Sequence, residues 1–272
     1  GEPLGTAIQA DLTDTFRYPK FGLIGDPGAS HVGKLAVVDI GIAAEALAQV
    51  RPQVELLTTE EVGALVRSRR HAAHKGDFGH LLVLAGARGK SGAALLCGGA
   101  ALRVGTGLVT LGGPSSINAI FSSVLLEAMT VPLPELPDGS LCCDDNAVRP
   151  DMQGKTAITF GPGIGVSVDT LGLTRWLLSQ SAVPLVIDAD GLNCLASDVS
   201  MLQQAHVPVV LTPHPGEMAR LLNKTNAEVQ AHRLTHARSF AQQHGCFLVL
   251  KGANTVVAAP DGRAWINSTG NP

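Results

Sequence analysis

The chain has 272 residues, of which 45% are hydrophobic and 16% charged, and its formal net charge is −3. This composition excludes a disordered chain, because it supplies enough apolar surface for a core. The small negative charge excludes long-range electrostatic attraction to nucleic acid or to anionic membranes. No apolar run reaches the roughly 18 residues that a membrane-spanning helix needs. The length favours one large α/β unit with a smaller segment attached to it.

The five cysteines indicate a reducing environment. They are odd in number and lack zinc-ligand spacing, and the adjacent pair Cys142 and Cys143 is poorly placed for an ordinary disulfide. The N-terminus does not have the basic-then-apolar pattern of a secretory signal. We therefore expect free thiols in a cytoplasmic protein.

The first fifty residues differ in pattern from the rest of the chain. Residues 10–16 and 34–41 read as strands, and the alanine-rich residues 43–52 read as a helical linker. Two strands do not make a stable unit alone, so they resemble the end of a larger sheet. A helix with a threonine cap at position 58 or 59 follows. This pattern predicts two domains, 1–52 and 53–272.

Strand and helix signals alternate from residue 71 onward. Apolar strands are predicted at 81–85, 108–111, 156–160, 184–187, 207–211 and 247–251. Helices are predicted at 92–104, at 170–180, from 217 onward and at 226–244, and a hairpin at 255–259 and 263–267. Buried strands that alternate with helices predict an α/β fold with a mostly parallel central sheet covered on both faces.

Two glycine-rich loops follow predicted strands. The loop that ends in Lys90 and Ser91 is not a Walker A motif, because Leu84 stands where that motif requires glycine. The loop at 161–165 has three glycines without the spacing of a dinucleotide fingerprint. Both loops would let a ligand approach the backbone, and both also fit plain strand-to-helix turns.

Polar side chains follow three further strands. Asp188 and Asp190 would point the same way if they continued a strand, and could then share a proton or Mg²⁺, or cap a turn. His214 lies between two prolines, which would hold the imidazole toward a ligand crevice at the carboxyl ends of the strands. Glu217 in the first helical turn fits either a site or a favourable interaction with the helix dipole.

The last strand ends in a polar loop. It consists of Lys251, Gly252, Ala253, Asn254 and Thr255. One cation, a permissive glycine and two side chains that hydrogen-bond form a reasonable contact surface for a nucleotide. A solvated lysine at a strand end is the alternative for this pattern.

Taken together and in this order, these clusters resemble the ADP-dependent NAD(P)H-hydrate dehydratase family. The resemblance runs from about residue 71 to the last residue, and its motifs lie at 74–80, 92–96, 161–165, 188–193, 212–217 and 251–255. Residues 10–16, 19–22 and 38–42 resemble the tail of the NAD(P)H-hydrate epimerase domain, which precedes the dehydratase in bifunctional repair proteins.

The resemblance implies a ribokinase-like three-layer αβα fold, truncated at its C-terminus, and a lyase activity. ADP would phosphorylate the ring hydroxyl of the S form of hydrated NADH or NADPH, and elimination would restore NADH or NADPH. Ala93, Gly163 and His214 would contact the hydrated dinucleotide, and residues 251–255 would line the AMP part of the nucleotide. Glu217, with Asp188 and Asp190, would lie near phosphate and Mg²⁺.

The resemblance also places a catalytic aspartate beyond Pro272. We therefore expect this chain alone to be inactive, and we read it as an internal part of a bifunctional protein. A homo-oligomer, such as a tetramer, and the absence of nucleic-acid and membrane partners are further expectations. The alternatives are a ribokinase-like kinase of a small alcohol and a non-catalytic nucleotide-binding module.

Overall fold

The large parallel sheet of the computed structural model is built from short strands joined by helices. The structure describes residues 5–25, 27–50, 52–66 and 68–269. Within them the strands are β1 (Leu12–Phe16), β2 (Lys34–Val38), β3 (Val54–Leu56), β4 (His80–Leu84), β5 (Leu108–Pro114), β6 (Met129–Leu133), β7 (Ala157–Phe160), β8 (Leu185–Ile187), β9 (Val209–Leu211), β10 (Phe247–Leu250), β11 (Thr255–Ala258) and β12 (Ala264–Asn267).

The helices alternate with these strands along most of the chain. They are α1 (Phe21–Ile24), α2 (Ala44–Val50), α3 (Thr59–Leu65), α4 (Ser91–Arg103), α5 (Asn118–Val124), α6 (Asp145–Met152), α7 (Val168–Gln180), α8 (Asp190–Leu195), α9 (Pro215–Leu222), α10 (Asn226–Ala231) and α11 (Arg233–His244). The predicted cap of α3 is present, because the Thr58 side chain accepts from the Glu61 amide.

Ten strands form one sheet in the order β3-β12-β11-β10-β9-β8-β7-β4-β5-β6. The seven strands from β10 to β6 run parallel, and β11 is antiparallel to both of its neighbours, β10 and β12. The chain moves from β4 outward to β5 and β6, and then returns to place β7 on the other side of β4. The strand order therefore reverses between β4 and β7, which is where ligands bind in open parallel sheets.

Residues of β4 alternate between two hydrophobic clusters on opposite faces of the sheet. Leu82 and Leu84 belong to the larger cluster, which also contains side chains of α7, α9 and α11. Val83 belongs to the smaller cluster, with residues of α4 and α5. This alternation makes three αβα layers and confirms the predicted parallel sheet with helices on both faces.

The second face of the sheet is covered less completely from β8 to β12. Val186, Val210, Val249, Val257 and Trp265 on this face are only half-buried, whereas their neighbours along each strand are buried. The pairs Val186–Val210, Val249–Val257 and Val257–Trp265 are direct cross-strand partners. The predicted helical cover on both faces is therefore closer at the β4 end of the sheet than from β8 to β12.

The segment before the large sheet has its own pair of strands. β1 and β2 are parallel to each other and form a separate two-stranded sheet. β3 lies at the edge of the large sheet, where it pairs in parallel with β12. The indole nitrogen of Trp265 donates to the Glu55 carboxylate at 3.1 Å across this pair, over a sequence separation of 210 residues. The division at residue 52 stays a prediction.

The single helix predicted at 226–244 is wrong. The backbone leaves the helical conformation at His232, with φ −133° and ψ 39°, and separates α10 from α11. The two helices have different neighbours, because α10 packs mainly on α9, whereas α11 packs on β10 and β11. The break also places Arg233 at the first position of α11, where its guanidinium reaches the end of β10.

Among the described residues, the helices are all too short or too polar to cross a lipid bilayer.

Candidate functional site

The two glycine-rich loops meet where the strand order reverses. The Gly86 amide after β4 donates to the Pro162 carbonyl after β7 at 2.8 Å. A Cβ atom on Gly163 would lie 2.9 Å from Cβ of Ala93 and 3.3 Å from the Lys90 carbonyl oxygen. Gly163 and Ala93, which were predicted to share a ligand, are therefore in contact. Ala93 lies in the first turn of α4 rather than in the preceding loop.

The loop after β7 also packs closely against the loop after β8. A Cβ atom on Gly161 would overlap the Asp188 carbonyl oxygen and would lie 2.8 Å from the Gly191 amide nitrogen. The Asp188 amide donates to the Phe160 carbonyl at 3.1 Å. Only a residue without a side chain allows the two backbones this approach.

Asp190 joins the loop after β7 to the start of α8. Its Oδ2 atom accepts from the Gly165 amide at 2.9 Å and lies 3.7 Å from Nζ of Lys90. Its Oδ1 atom accepts from the side-chain amide of Asn193 at 3.3 Å. Asn193 in turn accepts from Arg220 at 3.0 Å. Asp190 therefore fixes the shape of the loop at 161–165 and balances one cation of the loop before α4.

Asp188 has a different partner. Its Oδ1 atom lies 2.7 Å from Nζ of Lys251, at side-chain exposures of 30% and 42%. The two aspartates do not continue a strand as the sequence argument assumed, because Ala189 between them has φ 52° and Asp190 already begins α8. The assumption that strand alternation points them the same way is wrong, and each carboxylate has its own cation.

The loop after β9 reaches the same edge of the sheet. The Lys251 amide donates to the Pro213 carbonyl at 2.8 Å, next to His214. The Nδ1 atom of His214 accepts from the Gly216 and Glu217 amides at 3.0 and 3.4 Å, so the proton of the neutral ring is assigned to Nε2. The imidazole therefore caps α9 and is still 51% exposed along its side chain.

Glu217 completes this cap from inside the protein. Its side chain is 7% exposed, and Oε2 accepts from the His214 amide at 2.8 Å while Oε1 lies 3.4 Å from Nε2 of the same histidine. Both carboxylate oxygens thus hold His214 in place. The expected position of Glu217 near phosphate and Mg²⁺ stays a prediction, whereas its capping role is visible in the structure.

Cys97 of α4 lies close enough to Asp188 to feel its charge. Burial raises the pKa of its thiol, and the Asp188 carboxylate raises it further, against a smaller lowering by the Thr159 hydroxyl. The thiol is therefore protonated near neutral pH and adds no charge near Asp188.

The residues of the polar loop after β10 face two different parts of the structure. Lys251 points to Asp188, whereas Gly252, Ala253 and Asn254 line a cavity of about 410 Å³. Thr255 begins β11, and its hydroxyl donates to the Gly252 carbonyl at 3.0 Å. Gly163 and His214 do not line this cavity. Three of the five residues predicted to line a nucleotide therefore share this cavity, and the nucleotide-binding role of all five stays a prediction.

These contacts form one continuous series along the edge of the sheet where the carboxyl ends of the parallel strands lie, which we call the carboxyl edge. The ends of β4, β7, β8, β9 and β10 and the loops that follow them are linked by hydrogen bonds or ion pairs, and these five strands are consecutive neighbours in the sheet. Sequence reasoning missed Lys90 as a partner of Asp190, gave no role to Asn193 at the end of the 188–193 motif, and did not single out Arg220. The spacing of Asp190 and Asn193 within one helical turn was the available signal for Asn193.

The described residues do not form a metal cage, since no three His, Cys, Asp or Glu side chains among them could hold an ion together. Mg²⁺ bound with a nucleotide takes most of its ligands from phosphates and water, with one or two carboxylates. Asp188, which is partly exposed at the carboxyl edge, fits that requirement better than the buried Glu217.

One family model and several curated proteins are similar to this chain in sequence. A family model described as NAD(P)H-hydrate dehydratase matches residues 81–272. The bifunctional NAD(P)H-hydrate repair enzyme Nnr of Moorella thermoacetica is 43% identical over 275 residues, which is 100% of this chain and 52% of that protein. The enzyme of the same name from Thermofilum pendens is 37% identical, over 100% of this chain and 51% of that protein. The chain spans about half the length of these curated relatives.

Solved structures agree with this likeness. The ADP/ATP-dependent NAD(P)H-hydrate dehydratase of Bacillus subtilis, co-crystallised with ATP and Mg²⁺, is 31% identical with a TM-score of 0.66, over 80% of this chain and 74% of that one. A ribokinase-like superfamily protein of Enterococcus faecalis has a TM-score of 0.69 at 21% identity, over 81% and 73% of the two chains. The predicted ribokinase-like fold is confirmed.

Proposed function

Because the chain belongs to the NAD(P)H-hydrate dehydratase family, we propose that it dehydrates hydrated NADH or NADPH with the help of an adenine nucleotide. The observation that carries the proposal is the series of contacts at the carboxyl edge, where two glycine-rich loops adjoin the Asp188–Lys251 pair and the loop of His214. These loops would hold a nucleotide and a hydroxylated dinucleotide side by side.

The chemistry proceeds in two steps. The ring hydroxyl oxygen attacks the terminal phosphorus of ADP, the bond to the bridging oxygen breaks, and AMP leaves while a base takes the hydroxyl proton. The C–O bond then breaks and phosphate leaves, and the adjacent ring carbon loses a proton. The products are NADH or NADPH, AMP and phosphate. The resemblance assigns the base to an aspartate that follows Pro272, and this assignment stays a prediction.

Each part of the edge would serve one need of this reaction. Gly163 beside Ala93 leaves the backbone open to the dinucleotide, because neither residue carries a large side chain. Lys251 would stabilise the transferred phosphoryl group, and Asp188 holds its ammonium group in place at 2.7 Å. His214 would contact the hydrated dinucleotide through the half of its ring that remains exposed.

Mg²⁺ would neutralise phosphate charge in this reaction, and Asp188 is the residue that we propose to hold it. The Lys251 cation on the same carboxylate would bring the phosphates into reach of both groups.

The whole protein is proposed to be bifunctional, as its relatives are by name. Residues 1–52 would then form the tail of an epimerase unit that interconverts the R and S hydrates, and residues 53–272 the dehydratase unit. A cytoplasmic location and a homo-oligomeric state, such as a tetramer, stay predictions.

The test is an assay of the full-length gene product with ADP, Mg²⁺ and the S hydrate of NADPH. We expect absorbance of the reduced nicotinamide to rise and AMP and phosphate to form in equal amounts. Phosphorylation of a thiazole or pyrimidine alcohol instead would identify a small-alcohol kinase. ADP binding without turnover of any of these substrates would identify a nucleotide-binding module.

His214→Ala is expected to raise the Michaelis constant for the hydrate about tenfold and to leave ADP affinity unchanged. The reason is that the ring lies in the loop between β9 and α9, outside the cavity lined by Gly252 and Asn254. Initial rates at varied hydrate concentration measure the effect, and ADP titration by calorimetry provides the second value.

The matched variant His214→Asn keeps a side-chain acceptor for the α9 cap and removes only the ring. A loss in both variants assigns the effect to the imidazole. An unchanged Michaelis constant in both variants would remove His214 from the substrate site.

A further inference from the structure

The cavity beside the loop after β10 has a wall that comes from the beginning of the chain. Phe21 and Gly25 line it together with Gly252 and Asn254. We propose that residues 21–25, the N-terminal wall, form part of the adenine-nucleotide site, so that nucleotide binding and docking of this wall stabilise each other. The inference rests on the proposed use of a nucleotide at the loop after β10.

Asn254 attaches the N-terminal wall to the large sheet. Its backbone has φ 54°, and its side-chain amide donates to the Ile24 carbonyl at 2.8 Å, across 230 residues of sequence. Ile24 is the last residue of α1, and the Gly25 amide that follows donates to the Phe21 carbonyl at 2.8 Å. The amide of Asn254 is therefore used to hold the wall, rather than left for a ligand.

The aromatic ring of Phe21 folds back along this wall. A Cβ atom on Gly25 would lie 3.2 Å from Cζ of Phe21, so the ring packs on the bare backbone of that glycine. The side chain is 45% exposed, although it lies against the cavity. An aromatic ring with one free face beside a cavity is suited to stack on a planar base.

The opposite wall is the junction of α10 and α11. Gln230, His232 and Arg233 line the cavity there. The Arg233 guanidinium donates to the Leu250 and Lys251 carbonyls at 3.1 and 3.2 Å, which fixes it under the loop after β10. Gly252 has φ 136°, a conformation that favours glycine, and a Cβ atom there would lie 2.6 Å from Nη1 of Arg233 and displace the guanidinium.

The chemistry of the lining favours a nucleoside. The volume of about 410 Å³ lies within the ~300–1,000 Å³ typical of ligand pockets. The rings of Phe21 and His232 and the side-chain amide of Gln230 offer stacking and hydrogen bonds to a base. Gly252 in the lining directly follows Lys251, whose ammonium group lies at the carboxyl edge beside Asp188. A base in the cavity would thus direct its phosphates toward the proposed reaction site.

The first test is ADP titration by calorimetry on this chain. We expect Phe21→Ala to weaken ADP binding about tenfold, as removal of one ring from a base stack does. Tyr18→Ala is the matched control, because Tyr18 lies just before the N-terminal wall, is 53% exposed and does not line the cavity. The dissociation constant of this control for ADP should lie within twofold of the value for the unsubstituted chain. Ala253→Trp, which fills the cavity from the side of the sheet, should abolish binding.

The second test uses hydrogen exchange to measure the effect of ADP on the N-terminal wall. Binding free energies are reciprocal, so ADP must slow exchange of the Gly25 amide if the wall closes on the nucleotide. Asn254→Ala removes the bond to Ile24 and should speed that exchange in the free chain. It should also weaken ADP binding, although residue 254 keeps its place in the loop.

The outcomes separate this inference from the proposed function. If Ala253→Trp abolishes ADP binding and Phe21→Ala leaves it unchanged, the nucleotide site stands and the coupled wall is overturned. If neither substitution changes binding, the nucleotide lies elsewhere and the inference also fails. If the unsubstituted chain does not bind ADP, both the inference and the proposed nucleotide use are overturned.

Discussion

Replacing Gly161 with alanine is expected to lower the free energy of unfolding by about 3 to 5 kcal/mol, from backbone strain and overpacking together. The residue has φ 122°, where residues with a side chain are strained. The added Cβ atom would also overlap the Asp188 carbonyl oxygen, which is backbone and cannot rotate away. The loops after β7 and β8 would have to separate, and Asp188 would move away from Lys251.

Gly165→Ala in the same loop is the matched control. This glycine also has a positive φ, 81°, but an added Cβ atom would have no neighbour within 4 Å. We expect only the backbone strain, about 1 kcal/mol. Urea unfolding followed by circular dichroism measures both losses. Equal losses in the two variants would show that close approach to Asp188 does not matter.

Lys251→Met is expected to lower kcat/KM for the nucleotide about 100-fold, the loss typical when one donor to a transition-state charge is removed. The substitution keeps the length of the side chain and removes its charge. The ion pair with Asp188 is partly exposed, so its loss should change stability by less than about 1 kcal/mol. Initial rates of the full-length gene product at varied ADP concentration measure the effect.

Lys224→Met is the control for this second prediction. Lys224 also forms an ion pair, at 3.9 Å from Glu228, but it lies between α9 and α10, away from the loops of the proposed site. Its loss should leave kcat/KM within twofold of the original. A Lys251 variant that matched this control would exclude the ammonium group from phosphoryl transfer.

The parallel sheet was predictable because its strands are short apolar runs, such as Leu82 to Leu84, bounded by glycine and polar residues. β3 and β6 were not predicted. β3 has three residues and exists only because it pairs with β12, which no local pattern records. β6 is an edge strand in which Met129 and Pro132 are exposed, and proline inside a run argues against a strand.

The candidate site was predictable in location and less so in detail. The carboxyl ends of parallel strands share one edge, so Gly163, His214 and Lys251 could be placed on it from sequence. The separate partners of Asp188 and Asp190 could not, because they depend on the left-handed backbone of Ala189. The use of the Asn254 amide to hold residue 24 depends on a contact between distant segments.

The pairing of β3 with β12 has a consequence for how the chain folds during synthesis. Residues 54–56 leave the ribosome about 210 residues before their partner strand. At 5 to 20 residues per second, β3 waits about 10 to 40 s before its edge of the sheet exists. During that interval its hydrogen-bonding groups must be satisfied by water or a chaperone, so this edge of the sheet closes only after β12 has been synthesised.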